Sequence, residues 1–186
     1  MGFDEIVGHR RQLEILRLAL TSGRLHHAYL FVGPEGIGKR MLATALAQAV
    51  HCGARVGDCC GSCVNCTRIA DGNHPDVRII EPPAGKKEIS IQQVREFERE
   101  LNYRSFTGKR KIIIVDPATL MNLASQNALL KTLEEPPQDS LIILIAASAG
   151  GLLPTLRSRC LRISFAPLGR AEIASYLRTK QEVTGD

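Results

Sequence analysis

The stretch Ala28-Tyr29-Leu30-Phe31-Val32-Gly33-Pro34-Glu35-Gly36-Ile37-Gly38-Lys39-Arg40 decides how this chain folds. Five apolar residues closed by Gly33-Pro34 read as a buried strand ending in a turn. Residues 39–50 are rich in Ala and Leu and read as a helix. A glycine-rich turn between a strand and a helix is where a phosphate loop belongs. Its glycines let backbone N–H groups wrap an anion, the helix N-terminus adds partial positive charge, and the lysine reaches the outer phosphates. The plainer reading is a turn that merely opens a helix; the Gly and Lys spacing in this setting favours the phosphate loop. Gly33, Gly36, Gly38, Lys39 and Arg40 are therefore candidate nucleotide contacts. In the full motif Ser or Thr follows the lysine and its hydroxyl holds magnesium. Arg40 stands there instead, with no acceptor to offer a cation.

Outward from this unit the chain alternates between helical and strand-like periods. Leu13, Leu16 and Leu20 mark one helical face within residues 9–22. Residues 77–80, 111–115, 141–146 and 161–165 read as further strands, largely apolar, with 141–146 wholly so. Ile91, Val94, Phe97 and Leu101 form a helical face behind the capping box Ser90-Ile91-Gln92-Gln93. Residues 123–134 read as a helix stopped by Pro136-Pro137, and a last helix is expected over 169–180. Apolar strands separated by helices predict an α/β fold, a five-stranded parallel sheet covered by helices on both faces. This domain is expected over 1–166, with a boundary near Ala166-Pro167. The helix beyond has no partner for its Ile173 and Leu177 face, so 167–186 reads as the truncated start of a second domain.

The chain has 186 residues, 44% hydrophobic and 23% charged, which excludes a mostly disordered polymer. Aromatics make up 4% and Trp is absent, so the core is mostly aliphatic. The longest apolar run, 141–147, is too short to span a bilayer. Asp4 and Glu5 stand where a secretory leader needs apolar residues. A cytoplasmic protein without membrane contact is expected. The formal charge of +5 and pI near 9.0 lean towards an anionic partner and fit a solvated surface equally well.

Three more groups carry chemistry. Lys111-Ile112-Ile113-Ile114-Val115-Asp116 puts an acid at the end of a buried strand, where, beside a phosphate loop, Asp116 would orient magnesium and its waters. Pro117 follows and has no side-chain base. Five of the six cysteines crowd between Cys52 and Cys66, which reads as a metal site rather than a disulfide framework. Cys52-x7-Cys60-x2-Cys63-x2-Cys66 offers four thiolates to a tetrahedral zinc ion, with no open position for water, so the zinc would be structural. Cys59 could replace Cys60 or Cys52, and His51 is a weaker alternative; free thiols on a surface loop are the reading without metal. His74, ahead of Pro75-Asp76, reads as a turn residue. The cysteines are expected on an irregular inserted segment, 52–73. Arg159, in Leu156-Arg157-Ser158-Arg159-Cys160, lies at an edge from which it could reach a phosphate held by a neighbouring subunit; taken alone, a surface arginine is usually solvated.

Several segments together resemble the bacterial clamp-loader family of AAA+ proteins, and within it the delta-prime branch. They are Leu25-His26-His27-Ala28-Tyr29-Leu30-Phe31, the glycine-rich loop, the cysteine cluster running to Asn73-His74-Pro75-Asp76, the stretch Asn127-Ala128-Leu129-Leu130-Lys131-Thr132-Leu133-Glu134-Glu135-Pro136-Pro137, and Leu153-Pro154-Thr155-Leu156-Arg157-Ser158-Arg159-Cys160. The resemblance covers nearly the whole chain. It implies a P-loop sheet of AAA+ type and a place in a five-subunit ring belonging to DNA polymerase III. There, ATP-binding gamma/tau subunits with delta and delta-prime open the sliding clamp and set it on primed DNA. For Arg159 it implies an arginine finger lent to the neighbouring ATP site. In hydrolysing AAA+ relatives the residue after the strand-end acid is a Glu that activates water. Pro117 departs from that pattern as Arg40 does from the loop, and Ala146-Ala147-Ser148 stands where a sensor Thr or Asn is usual. The expectation is a largely non-hydrolysing subunit, without polymerase activity of its own, that binds ATP or ADP weakly or not at all. Ring closure in the family depends on C-terminal collar helices absent from this chain, so an isolated monomer is expected.

Three rival functions make distinguishable demands. A gamma/tau-type motor needs the hydroxyl and the base that Arg40 and Pro117 replace. A zinc-bearing nucleotide kinase usually splits its cysteines into two separated pairs and carries an arginine-rich lid; here the cluster is compact. A nucleic-acid binder would rest on Arg104, Lys109, Arg110 and Lys111, interleaved only with Tyr103 and Phe106, a pattern suited to sequence-independent backbone contact at most.

Overall fold

The computed structural model describes residues 2–170, 172–174 and 177. Five strands, β1 (Ala28–Val32), β2 (Val77–Ile80), β3 (Lys111–Val115), β4 (Ser140–Ala146) and β5 (Leu161–Ser164), pair in parallel in the order β2-β3-β4-β1-β5. α1 (Arg10–Thr21) precedes β1, and between the strands run α2 (Lys39–His51), α3 (Val64–Ala70), α4 (Ile91–Leu101), α5 (Leu123–Glu134) and the short α6 (Pro154–Arg157). This is the five-stranded parallel α/β sheet of AAA+ type expected from the sequence.

Its three central strands, β1, β3 and β4, are buried at every residue, because helices cover both faces. Alternate residues go to opposite faces. Tyr29 and Phe31 pack with Leu13 and Leu16 of α1 and with Leu42 and Leu46 of α2. Ala28, Leu30 and Val32 pack on the other face with Val94 and Phe97 of α4 and Leu129 and Leu133 of α5. The edge strands differ from the expectation of largely apolar strands: β5 buries only Ile163, and Leu161 is 45% exposed. An edge strand has one strand neighbour and less helix above it.

Helix ends follow local chemistry. Ser90 Oγ accepts the Gln93 N–H and the Gln93 side chain accepts the Ser90 N–H, the reciprocal capping box at the start of α4. The Asn122 side chain accepts the Ser125 N–H at the start of α5. The cysteine segment is more regular than expected. Seven of its residues form α3, which buries Cys66 and Ile69 and receives a 2.7 Å hydrogen bond at the Cys66 carbonyl from Gln48 of α2. Of the helix expected over 169–180, residues 170, 172–174 and 177 are described and helical, and the Ile173 N–H donates to the Gly169 carbonyl at 3.0 Å; most of the 167–186 segment lies outside the described residues. Among those residues, no helix is long and apolar enough to cross a membrane.

Candidate nucleotide cleft and cysteine centre

The C-terminal ends of β1 and β3 open on a cavity of about 920 Å³ lined by Gly36, Gly38, Lys39, Arg40, Asp116 and Pro117. Gly36 (φ +74°) and Gly38 (φ +96°) take the left-handed backbone that lets the loop turn into α2. Gly33, the remaining predicted contact, is not among the lining residues. A Cβ on it would meet the Phe165 carbonyl oxygen at 2.5 Å, so this glycine serves the close passage of the chain leaving β5. Lys39 is almost wholly buried, and burial lowers its pKa. Its ammonium donates to the carbonyls of Gly33 and Pro34, both at 2.6 Å.

Arg40 bridges two strand ends. Its Nη1 donates to Glu81, just past β2, at 2.6 Å, and its Nε lies 3.7 Å from Asp116 Oδ2, just past β3. The hydrogen bond from Arg40 holds the Glu81 carboxyl below its usual range. Burial pushes the Asp116 carboxyl up, against the pull of Arg40. The AAA+ fold implies magnesium at this place, and the residues here do not fit it: no hydroxyl follows Lys39, and a guanidinium faces the acid that would orient the ion.

The ligand atoms of Cys52, Cys60, Cys63 and Cys66 all lie within 4.8 Å of one another. A tetrahedral ion bonded at about 2.3 Å to sulfur requires S···S separations of about 3.8 Å, so this group could hold a metal ion such as zinc. The Cys63 N–H donates to Cys60 Sγ at 3.3 Å. N–H groups of the loop draw the Cys60 thiol down to about 6, towards the thiolate a metal needs. Cys59 stands apart from the four. It is buried, its Sγ reaches Gln48 Oε1 at 3.7 Å, and burial with nearby Asp58 pushes its thiol up to about 12. The cysteine-bearing segment also walls this cavity, through Gly61, Ile69 and Gly72.

Arg159 sits in the turn between α6 and β5, on the surface. Its guanidinium donates to the Thr155 carbonyl at 2.7 Å and forms an ion pair with Glu134 at the end of α5.

A family model described as "DNA polymerase III, delta subunit" matches residues 8–169. The chain belongs to the DNA polymerase III delta-prime family. It is 42% identical over 152 residues to DNA polymerase III subunit delta' of Pseudomonas aeruginosa, covering 81% of this chain and 46% of that protein. It is 38% identical over 176 residues to subunit delta' of Escherichia coli, covering 94% of this chain and 52% of that one. Subunit tau of Escherichia coli is 34% identical, over 94% of this chain and 27% of its own length. The chain thus spans about half the length of the delta-prime relatives it matches. Among solved structures, the Thermotoga maritima RuvB Holliday junction branch migration motor shares the fold at a TM-score of 0.62 and 17% identity, over 98% of this chain and 53% of that one.

Within this delta-prime chain, sequence reasoning missed three partners. Glu81 and Glu134 are ion-paired to Arg40 and Arg159 from far along the chain, and only their places, directly after β2 and at the end of α5, mark them. Asp76 is the third. It is buried beside His51 and His74, and its carboxylate gathers the N–H groups of Phe106 and Thr107. The expected basic patch is partly used up. Lys111 is buried with its ammonium on the Glu100 carbonyl, and Lys109 donates to the Cys52 carbonyl.

Proposed function

We propose that this chain is the AAA+ region, 1–166, of a delta-prime subunit that acts as a non-hydrolysing stator in the clamp loader of DNA polymerase III. The start of its helical lid would lie in 167–186. The reading is carried by one observation: a guanidinium sits against the strand-end acid of the cleft, with a proline where a water-activating base would stand. A cleft arranged this way lacks the loop hydroxyl that holds the metal, has its strand-end acid engaged by Arg40, and has no base for hydrolysis; a positioned base alone is worth about 10²–10⁴-fold. ATP or ADP would be held weakly if at all.

The active contribution is assigned to Arg159, as a finger presented to the ATP site of an adjoining gamma/tau subunit. Its surface position and tethering to Thr155 and Glu134 support this role, since a side chain so held can exchange an exposed carboxylate for a phosphate. Cys52, Cys60, Cys63 and Cys66 would hold a structural zinc ion that fixes the 52–73 module against α2. Gamma/tau, delta, the sliding clamp and primed DNA are the partners this reading requires, in the cytoplasm. The test is a loader reconstituted with the full-length subunit carrying Arg159→Ala. An arginine finger is worth about 10³–10⁵ in rate at the site it serves, so clamp-dependent ATPase of the motor subunits should fall. Unchanged turnover would refute the assignment.

A further inference from the structure

Two carboxylates and one guanidinium share the place where a phosphate loop ending in Lys-Ser or Lys-Thr would bind a divalent cation. The Asp116 N–H donates to the Ile80 carbonyl at 3.0 Å, so the ends of β2 and β3 are held side by side and Glu81 and Asp116 converge on Arg40. The guanidinium carries a permanent charge and offers no lone pair. A divalent ion brought to Asp116 would meet that charge at close range, in a partly buried site where screening is weak. Meanwhile the anion-binding half of the cleft is present. Gly36 and Gly38 open α2 with its N–H groups free of intrahelical partners, and Lys39 lines the same cavity with its ammonium on the Gly33 and Pro34 carbonyls.

We infer that Arg40 is the resident counter-cation of this cleft, and that the cleft takes a nucleoside diphosphate free of divalent metal. The inference rests on reading this as a nucleotide cleft without hydrolysis. Arg40, already fixed between two acids, neutralises them, so an incoming diphosphate meets Lys39 and the α2 N-terminus without needing a metal to screen Glu81 and Asp116. Magnesium then binds the ligand in solution and not the site, and it competes with the cleft for free diphosphate.

The experiment is calorimetry on the full-length subunit with ADP, in excess EDTA and in excess magnesium. The wild type should bind ADP in EDTA, with an affinity in magnesium equal within about threefold or weaker. Arg40→Ser should bind ADP at least tenfold more tightly with magnesium than without, because it restores a hydroxyl and clears Asp116. Wild-type binding tightened tenfold by magnesium, or no ADP binding in EDTA, would overturn the inference. So would an Arg40→Ser protein, folded by circular dichroism, as indifferent to magnesium as the wild type. None of these outcomes touches Arg159, whose loader assay reads a neighbour's ATPase, so the stator assignment and this one fail separately.

Discussion

Replacing Asp76 should destabilise the fold more than any exposed charge would. The residue is 3% exposed and stands directly ahead of β2. Its Oδ1 accepts the Phe106 N–H at 2.8 Å; its Oδ2 accepts the Thr107 N–H at 2.9 Å and the hydroxyls of Thr107 at 2.8 Å and Ser105 at 2.9 Å. One buried carboxylate thus shapes the loop between α4 and β3. In Asp76→Ala, the two hydroxyls lie 3.2 Å apart and can turn to each other, but two backbone N–H groups lose their acceptor. A hydrogen bond to a charged group contributes about 1.5–3 kcal/mol; because these two are only part-buried, the lower end applies to each and about 3–4 kcal/mol is expected. Asp76→Asn keeps one acceptor and turns an NH₂ towards donors, so it should cost nearly as much. With a urea m-value of about 2 kcal/mol/M for a chain of this size, the unfolding midpoint should fall by about 1.5–2 M at pH 7.

The same carboxylate sets a pH signature. Burial alone would raise its pKa, but the N–H groups of Phe106 and Thr107 and the two hydroxyls outweigh burial and hold it below the usual range. A group depressed in the folded state stabilises fully above its unfolded pKa, near 3.9 for Asp, and that contribution fades as pH falls through the lower folded value. Urea titrations of wild type and Asp76→Asn should therefore converge between pH 4 and the folded value. A midpoint shift under about 0.3 M at pH 7, roughly 0.6 kcal/mol at that slope, or a gap unchanged down to pH 2.5, would refute the reasoning.

Elemental analysis should find zinc bound by the wild type and by Cys59→Ser, and lost in Cys66→Ser; zinc lost in Cys59→Ser would place that thiol in the ligand set. Gly33→Ala should lower stability by about 1–3 kcal/mol through overpacking, because its Cβ would lie 2.5 Å from one Phe165 atom and 2.8 Å from another. Gly53→Ala, with nothing within 4 Å of the added atom, is the near-neutral control, and thermal unfolding of the three proteins decides.

Elements with a complete local signal were legible from the sequence. β1 and the loop into α2, β3 and α4 each combine an apolar period with a breaker or a cap, and those forces act within a few residues. The spacing Cys60-x2-Cys63-x2-Cys66 was legible for the same reason, since two-residue gaps leave little freedom in where the sulfurs go. What stayed hidden depends on distant chain. α3 is under two turns long and owes its helix to docking on α2 through Gln48 and Ile69, which no local propensity reports. The exposure of β5 follows from its place at the sheet edge, a property of strand order. Arg40 could be read as unable to bind a metal, but not as the partner of Glu81, because 41 residues separate them and the contact exists only once β2 and β3 lie side by side.

Gly33 links the two ends of the proposed function. The loop it opens follows β1, whose partners are β4 on one side and β5 on the other. The Gly33 N–H donates to the Ala146 carbonyl at 3.2 Å, while Phe165 passes so close that no side chain fits between, and the Phe165 N–H donates to the Val32 carbonyl at 2.7 Å. Those contacts seat the C-terminal end of β5 against β1. Arg159 precedes the same strand by two residues, in the turn that α6 and β5 share. The start of the loop therefore holds the strand that presents the arginine, whether or not phosphate is bound. On this reasoning a subunit without hydrolysis of its own still needs the opening glycine of a phosphate loop. Gly33→Ala in an assembled loader should then weaken the neighbour's ATPase in the same direction as Arg159→Ala, while the loop's turning glycine Gly36, with nothing within 4 Å of an added Cβ, should affect ADP binding and leave that ATPase alone.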